Sequence, residues 1–438
     1  MKIQFESLIR KALAIKPLAL LSLSMRVIAM GGKFAFILVA ALKMTSADLG
    51  RYGVATSLSM LIPGIVGIEA YQILCRQIAN GQATDKDKSN YSAFTFSAAA
   101  TAFVATFAVL IAMSWNPLTA LIAAGVVASE HLGNELFRML VAEGRRFPAF
   151  QCFSIRSGAW SVGLPLLSFT HILHGQWSLN LVLLSWLLAG WGGLLYAISL
   201  PHAYRPNWTS MRDWWPWLRP ILPASMGWLG IATAWKFIDS GPRLLAGIFL
   251  TPAEAGHFTF LNSMGTIPTI VIKGVIEPMF FINLAVGDNA DFRRRYGHIL
   301  LGFGVACTIG AAILLFGYTT FTHKIITPVD WMTFAVISAA CVILNLSQQP
   351  HFVLYANRHD RLIFYVSIAT VVVAAPVCSL AAWAGGRVGL AFGTLFMASI
   401  LLGAKWFSAR MNVPGEYLSR KQRREAFQAA DSEVGVEA

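Results

Sequence analysis

Charged side chains lie inside segments of this sequence that are otherwise apolar enough to cross a membrane. In the first such segment, Arg26 and Lys33 are seven residues apart and therefore share one face of a helix. Arg26 follows Lys16 by ten residues, about 15 Å along a helix, which places it near the middle of a membrane. No acidic residue lies within one turn of either cation. Because burying charge in hydrocarbon is costly, both cations are expected to face a water-filled cavity that accepts anions.

The seventh and eighth segments carry similar charges. Lys236 and Arg243 are again seven residues apart, with Asp239 between them, and Lys273 and Glu277 are one helical turn apart. Lys273 and Glu277 fit a structural i,i+4 ion pair, and Asp239 is expected to neutralise one of its two basic neighbours. Lys236 is expected to line the cavity together with the cations of the first segment. Asp239 and Glu277 are also candidates for coupling to a proton or a sodium ion.

Other ionisable residues lie inside the remaining segments. Glu69 in the second segment and Glu130 in the fourth are candidates for ion pairing or coupling. Arg156 is close enough to the cytoplasmic end of the fifth segment for its guanidinium to be expected at the membrane interface. His131 and Glu135 match no zinc-binding pattern, so neither a metal site nor another cofactor is expected.

The chemistry predicted from these residues is the binding of an anion. Clustered lysine and arginine side chains bind phosphate and pyrophosphate groups well, whereas an exporter of cationic drugs would require unpaired carboxylates and aromatic residues. Prolines and glycines in the second and eighth segments weaken the helices locally and are expected bending points for alternating access. These residues are Pro63, Gly64, Gly67, Gly265 and Pro268.

The composition indicates that the elements positioning these residues are membrane helices. Of the 438 residues, 56% are hydrophobic and 13% are charged, and the mean hydropathy is +0.61. Soluble domains carry about 25% charged residues, so this chain lacks the polar surface to cover itself in water. The five cysteines are scattered without metal-ligand spacing and are predicted to be small buried hydrophobic residues.

Twelve stretches of the chain have the approximately 20 apolar residues that a membrane span requires. We predict an all-α integral membrane protein in which twelve helices form two six-helix bundles. The predicted spans are 17–42, 52–74, 91–114, 118–141, 147–170, 179–200, 221–250, 253–284, 298–319, 325–355, 362–383 and 388–407. The predicted domains are an interfacial amphipathic helix (1–16), an N-terminal bundle (17–200), a cytoplasmic linker (201–220), a C-terminal bundle (221–409) and a cytoplasmic tail (410–438).

The positive charges alternate strictly from one connection to the next. We count 24 lysines and arginines in the N-terminus, every second connection and the C-terminal end, and four in the alternate connections. Lys405 is counted with the C-terminal end. The positive-inside rule therefore predicts that both termini are cytoplasmic. The same pattern accounts for the net charge of +13, so nucleic acid is not expected as a partner.

An internal repeat supports two similar halves. The hexapeptide at 47–52 opens the second span and a similar hexapeptide at 253–258 opens the eighth, with Thr45 aligned on Thr251. Because each repeat contains six spans, an even number, the halves are expected to be parallel and related by an axis along the membrane normal.

Parts of the sequence resemble polysaccharide flippases. They are the stretch 49–53 (LGRYG), the Ser-, Pro- and Gly-containing span after it, the exit at Arg76 and the basic first span. These flippases are the O-antigen (Wzx-type) and exopolysaccharide transporters of the multidrug/oligosaccharidyl-lipid/polysaccharide (MOP) superfamily. The resemblance covers nearly the whole chain through its twelve-span layout. Lipid II flippases usually have two more spans, and the sequence contains no extra pair.

The resemblance implies a V-shaped pair of bundles in the bacterial inner membrane. Such a protein would be a transporter rather than an enzyme. It would move an undecaprenyl-pyrophosphate-linked oligosaccharide to the periplasmic leaflet by alternating access, with proton or sodium coupling and a polysaccharide polymerase as partner. The positions matching the pyrophosphate-binding cations are Arg26, Lys33, Lys236 and Lys273, with Arg243 as a lesser candidate.

Two alternatives remain at this point. A cation-coupled exporter of drugs or small solutes shares the twelve-span plan. A membrane-bound polysaccharide polymerase or glycosyltransferase would be expected to place catalytic residues in a large extramembrane loop. The predicted periplasmic connections, such as 114–117 and 384–387, are too short to form one.

Overall fold

The chain folds into helices in the computed structural model, which describes residues 17–170, 172–173, 175–200, 213–277, 280, 284, 290–322 and 326–414. No strand occurs in these residues. The α-helices are α1 (Pro17–Lys43), α2 (Ser46–Val66), α3 (Tyr71–Ala79), α4 (Asp85–Ala112), α5 (Pro117–Ala142), α6 (Arg146–Phe153), α7 (Ala159–Phe169), α8 (Leu179–Ser199), α9 (Trp214–Phe249), α10 (Pro252–Gly265), α11 (Ile267–Val271), α12 (Ala290–Thr322), α13 (Pro328–Leu346), α14 (Gln348–Ala356) and α15 (Asp360–Asn412). Two π-helical segments, Ser154–Gly158 and Ile272–Ile276, follow α6 and α11.

These helices follow the twelve predicted spans. The second span is α2 with α3, the fifth is α6 with the first π segment and α7, and the eighth is α10 with α11 and the second π segment. The tenth span is α13 with α14, and α15 supplies the last two spans. Eight helices in the described part of the chain are long and apolar enough to cross a membrane. The spans outside that group are the fourth, fifth and eighth, which contain Glu130, Arg156 and Lys273.

The same type of N-cap begins the two helices related by the internal repeat. Thr45 Oγ1 accepts a hydrogen bond from Asp48 N at 3.1 Å, and Thr251 Oγ1 accepts one from Glu254 N at 3.3 Å. Each threonine satisfies a backbone donor that the first helical turn leaves without a partner. The aligned threonines therefore have the same structural role in both halves.

The second span is broken where its proline and glycines predict weakness. Helix α2 ends three residues after Pro63, and Ile68 and Glu69 then take left-handed backbone angles, with φ of 50° and 51°. Non-glycine residues rarely adopt this conformation because of steric strain. The eighth span is also irregular, because α10 ends at Gly265 and the π segment follows α11. The predicted weak points are therefore sites of helix interruption.

The connection between the last two spans contains a glycine in a backbone conformation that other residues avoid. Gly386 has φ 57° and ψ −143°, and this residue separates the two halves of α15 within the predicted connection 384–387. The following residue, Arg387, forms an ion pair with Asp330 of α13, with Nη1 3.1 Å from Oδ1. The turn is thus tied to the first turn of the tenth span.

The chain divides into two compact units, the N-terminal unit ending at Thr233 and the C-terminal unit beginning at Ala234. In the N-terminal unit, small residues on α5 are fully buried, including Ala120, Ala123 and Ala124. Close packing of small residues holds helices together where lipid competes equally well for apolar side chains. The proposed domain limits remain a prediction, and the predicted amphipathic helix 1–16 and most of the predicted linker and tail lie outside the described residues.

Candidate functional site

The N-terminal unit contains a buried ion pair centred on Arg156. This arginine is only 2% exposed and is the third residue of the first π segment. Its Nη2 donates to Asn134 Oδ1 at 2.8 Å and its Nη1 donates to the Glu130 carbonyl oxygen at 3.2 Å. Its Nε lies 3.8 Å from Glu130 Oε2. The prediction that Arg156 reaches the membrane interface is therefore wrong.

Two glycines explain why the Arg156 guanidinium stays inside the unit. A Cβ atom on Gly133 of α5 would lie 2.5 Å from Arg156 Cδ and 2.6 Å from its Nη1. A Cβ atom on Gly193 of α8 would lie 2.9 Å from Arg156 Cβ and 3.0 Å from the carbonyl oxygen of Cys152. Both values are shorter than normal van der Waals contacts. The absence of these two side chains leaves a slot that holds the arginine between α5 and α8.

Glu130 is held from two directions. Its Oε1 accepts a hydrogen bond from Trp186 Nε1 at 2.8 Å, while Arg156 approaches its Oε2. The Trp186 ring stacks on Trp160 with 5.1 Å between ring centroids. Each oxygen of this buried carboxylate therefore faces a nitrogen of a neighbouring side chain.

Lys33 lies close enough to this pair to interact with it. Glu130 and Arg156 are the charged groups that act on its ammonium. Lys33 is on the face of α1 that also carries the buried residues Ala29 and Phe36, yet its own side chain is exposed. The structure thus places Lys33 within electrostatic range of Glu130, another of the predicted site residues. Arg26, two turns away on the same face, is half-buried.

Glu69 belongs to a different cluster in the same unit. It is buried at the break in the second span and acts electrostatically on Arg138 and Tyr71. Arg138 lies 3.8 Å from the Tyr71 ring centroid and its Nη1 is 2.8 Å from Glu135 Oε1. The hydroxyl of Tyr91 donates to Glu135. This cluster connects α3, α4 and α5, and it does not include Lys33 or Glu130.

The C-terminal unit contains a second ion pair, between Lys273 and Asp239. Lys273 is the second residue of the second π segment, and its Nζ lies 2.5 Å from Asp239 Oδ2 of α9. Asp239 was expected to neutralise a neighbour on its own helix, and the structure gives it a partner from the eighth span. Their side chains are 29% and 31% exposed, so water reaches the pair. Glu277 is half-buried and acts on Tyr296.

Lys236 and Arg243 are half-buried on the same helix as Asp239. Arg243, Asp239 and Lys273 all act on the buried thiol of Cys341 in α13. The structure therefore places Arg243 within electrostatic range of the same region as the ion pair. In the described residues, no group of three or more His, Cys, Asp and Glu side chains is arranged to hold a metal ion.

Lys405 is the residue of this cluster that the sequence analysis assigned to the cytoplasmic end, and the structure corrects that assignment. Its side chain is 0% exposed. The reason is that α15 continues to Asn412, so Lys405 lies seven residues, about 10 Å, inside the end of the helix. Its Nζ is 3.4 Å from His351 Nδ1 and 3.9 Å from the ring centroid of Trp235. The signal was available, because Lys405 falls within the predicted span 388–407.

The two clusters have a common design. A π segment presents a base, Arg156 or Lys273, to a carboxylate on another helix, Glu130 or Asp239. Such segments occur often at functional sites because the extra residue in the turn redirects side chains. In each unit, the paired carboxylate is accompanied by further lysine and arginine residues within the spans. The arrangement can present positive charge to an anion.

Comparison with known proteins identifies the fold. No family model matches the sequence, and no curated protein matches it. The structure is similar to the lipid II flippase MurJ in an inward closed conformation, with 15% identity, a TM-score of 0.58, and coverage of 90% of this chain and 87% of that chain. It is also similar to a mutant of the Vibrio cholerae MATE transporter VcmN, with 15% identity, a TM-score of 0.50, and coverage of 91% and 97%. This chain therefore shares the all-α, multi-pass membrane fold of these two proteins.

Proposed function

We propose that this protein is a flippase for an undecaprenyl-pyrophosphate-linked oligosaccharide in the biosynthesis of a surface polysaccharide such as O-antigen. It would act in the bacterial inner membrane, with both termini in the cytoplasm, and would move its cargo from the cytoplasmic to the periplasmic leaflet. The observation that carries this proposal is the surplus of basic over acidic side chains inside the spans of each unit.

Ion pairing leaves positive charge available in the N-terminal unit. Glu130 is engaged by Arg156 and by Trp186. No carboxylate of the described residues lies within the 4.0 Å ion-pair distance of Lys33 Nζ, although Glu130 acts on it from farther away. We therefore assign the Lys33 ammonium to the binding of an anion. Arg26 on the same face can bind a second oxygen of a doubly charged group.

The C-terminal unit has the same surplus. Apart from the completely buried Lys405, its spans carry three bases and two acids away from their ends. The acids are Asp239 and Glu277, and the bases are Lys236, Arg243 and Lys273. Asp239 is engaged by Lys273. An exporter of organic cations would be served by the opposite balance, so the paired carboxylates favour an anionic cargo.

Pyrophosphate fits this chemistry because lysine and arginine form strong, charge-assisted hydrogen bonds with its oxygens. MurJ, by its name, flips a lipid, and its fold resembles that of this chain. A lipid-borne head group allows the polyprenyl tail to stay in the bilayer while the charged group and the glycan pass through a wet interior. The two units would alternate in access by bending at the interrupted second and eighth spans. The delivered product would be the substrate of a polysaccharide polymerase.

Binding of undecaprenyl pyrophosphate to the purified protein in lipid nanodiscs tests this proposal without knowledge of the glycan. We expect saturable binding to wild type and at least about tenfold weaker binding to Arg26→Ala, Lys33→Ala and Lys236→Ala, the loss expected for one charge-assisted contact. Lys43→Ala is the matched control, because Lys43 lies on the same helix as Lys33 but in its last turn.

Undecaprenol, which lacks the pyrophosphate, should not compete. Equal binding of undecaprenol, or unchanged binding by all three variants, would refute the anion site. Binding and pumping of organic cations by wild type would instead indicate a drug exporter.

Asp239→Asn and Glu277→Gln, with Glu69→Gln and Glu130→Gln, test coupling: transport that keeps its dependence on a proton or sodium gradient in all four would exclude them as coupling groups.

A further inference from the structure

The C-terminal unit contains a lysine that is completely buried without a carboxylate partner. Lys405 is 0% exposed, and among the described residues no acidic side chain lies within ion-pair distance of its Nζ. Its polar contact is with the imidazole of His351, and the face of Trp235 lies 3.9 Å away. A buried ammonium that is not paired with an acid is unfavourable, and the proposed anion site does not require a residue without solvent access.

The contact between Lys405 and His351 limits the number of protons that the two groups can hold. Nζ and Nδ1 are 3.4 Å apart, and a hydrogen bond between two nitrogens needs one donor and one acceptor. An ammonium donates to a neutral imidazole whose Nδ1 carries no proton. Protonation of both groups would place two positive charges against each other without an acceptor. We name these two side chains the buried pair; its geometry allows at most one ionising proton.

The surroundings of the buried pair make this proton responsive to charge. Lys273, whose Nζ lies 5.2 Å from the Trp235 centroid on which Lys405 also packs, acts on both members of the pair. Asp239 offsets the charge of Lys273 at 2.5 Å. Gain or loss of an anion at the Lys273–Asp239 ion pair therefore changes the electrostatic cost of a charge on the buried pair.

Other ionisable groups on the neighbouring helices lie near the buried pair or farther along the last span. Tyr355 of α14 stacks on the imidazole with 6.3 Å between ring centroids. Cys341 of α13 lies within range of Asp239, Lys273 and Arg243. Tyr296 of α12 packs on the residue after the histidine. Glu254 of α10 and Asp330 of α13 lie near Gly386 and Arg387, at the opposite end of the last span.

We propose that the buried pair of Lys405 and His351 is a proton-binding site that exchanges one proton in each transport cycle. In the proton-bound state, Lys405 is an ammonium that donates to His351 and lies over the Trp235 ring. In the proton-free state, Lys405 is a neutral amine and the proton has passed to water. His351 is half-buried and the Lys273–Asp239 ion pair is partly exposed, so we assign the exit of the proton to the side of the buried pair on which these residues lie.

The link between proton and cargo rests on the proposed function. A pyrophosphate bound at Lys273 adds negative charge near the buried pair and favours its protonated state. Departure of the pyrophosphate removes that charge, and the repulsion between Lys273 and Lys405 favours release of the proton. The expected result is movement of a proton in the same direction as the cargo.

A proton-counting titration tests the site in the absence of cargo. The purified protein is titrated from about pH 5 to about pH 9 in detergent, a range in which an ordinary lysine keeps its proton. Wild type should release about one more proton per chain than Lys405→Arg, because a guanidinium keeps its proton in proteins. The double variant Lys405→Met/His351→Gln should show the same deficit of about one proton.

The two variants differ in what they preserve, which guards against a folding defect. Lys405→Arg keeps the charge and the hydrogen-bond donor, and the double variant keeps the volume of both side chains. Equal proton release by wild type and by either folded variant would overturn the proposal, because Lys405 would then be permanently charged. This result does not depend on the cargo, so failure of the proposed function would leave the titration unchanged.

In proteoliposomes, a pH gradient should stimulate head-group transfer by wild type. It should have no effect on Lys405→Arg that still binds undecaprenyl pyrophosphate.

Discussion

Arg156 illustrates how a single guanidinium is kept deep inside a helical bundle. Its Nη1 and Nη2 donate to the Glu130 carbonyl oxygen and to Asn134, and its Nε lies 3.8 Å from Glu130 Oε2. The slot for it exists because Gly133 and Gly193 have no side chain. A buried ion pair contributes little net stability compared with apolar residues of the same size, but breaking it leaves an uncompensated charge. The role we assign to this pair is to hold Glu130 where it acts on Lys33.

Replacement of Arg156 should therefore be strongly destabilising. We expect Arg156→Met to lower the free energy of unfolding by about 3 kcal/mol or more, because Glu130 remains buried with Trp186 as its remaining partner. The measurement is thermal unfolding of the purified protein in detergent. Arg146→Met, at the exposed start of α6, is the control and should have little effect. The double variant Glu130→Leu/Arg156→Met should recover part of the loss; a double variant as unstable as the single one would contradict this account.

At the residue scale, the sequence predicts which side chains are unusual better than it predicts their partners. Lys33, Glu130, Asp239 and Lys273 stand out because charge is rare inside apolar spans. Their pairing depends on which helices are neighbours, and Lys273 and Asp239 are 34 residues apart in the chain. The sequence did not indicate that Lys405 is buried, because this residue lies near a run of basic residues that the positive-inside rule explains. Its position inside the predicted span 388–407 distinguishes it from that run.

Helix irregularities position both ion pairs. The segments Ser154–Gly158 and Ile272–Ile276 each add one residue to a turn, which changes the direction in which the following side chains point. The apolar pattern of a π-helical turn hardly differs from that of an α-helical turn, so these segments were not predictable from the sequence. The break of the second span was predictable, because Pro63 and Gly67 are strong local signals.

The contact between α8 and the first π segment should be sensitive to one methyl group. In Gly193→Ala, the added Cβ would lie 2.9 Å from Arg156 Cβ and 3.0 Å from the Cys152 carbonyl oxygen, so backbone must move. We expect a loss of about 1–3 kcal/mol, the usual cost of overpacking, seen as a lower Tm. Gly192→Ala is the control because its Cβ would meet only Ile155 Cγ2, at 3.6 Å. Equal stability of the two variants would show that α8 does not pack this closely.

The turn between the last two spans should depend on Gly386. Its φ of 57° with ψ of −143° is a combination that residues with a Cβ atom avoid. We expect Gly386→Ala to lose about 1–3 kcal/mol of stability. A Cβ on the neighbouring Gly385 would meet no atom within 4 Å, so Gly385→Ala should be tolerated. Thermal unfolding of both proteins compares them directly, and a neutral Gly386→Ala would mean that the turn adopts another conformation.

At the scale of the whole molecule, the twelve-span layout was the most predictable property. Span length, apolar composition and the alternation of positive charge all follow from the physics of a bilayer, and the helices match the predicted spans. MurJ and a MATE transporter share the fold of this layout. The cargo was less predictable, because glycan recognition uses polar and aromatic residues that every helical bundle contains.

The predicted orientation can be tested with reporters fused to the chain. With Lys405 placed inside the last span, 23 lysines and arginines lie on one side and four on the other, so we expect both termini in the cytoplasm. Green fluorescent protein placed before Met1 or after Ala438 should therefore fluoresce, and alkaline phosphatase at the same positions should be inactive. Phosphatase activity at one terminus alone would require an odd number of spans and would contradict the two-by-six layout.

The central claim is that charged side chains inside the spans carry a lipid-linked pyrophosphate across the membrane. The most direct test is transfer of a fluorescent undecaprenyl-pyrophosphate-linked sugar in proteoliposomes, read as protection of the fluorophore from an impermeant external quencher. We expect wild type and Lys43→Ala to move the lipid between leaflets, and Lys33→Ala and Lys236→Ala to be slower by about tenfold or more at equal reconstitution. Transfer at the wild-type rate by Lys33→Ala and Lys236→Ala would contradict the claim.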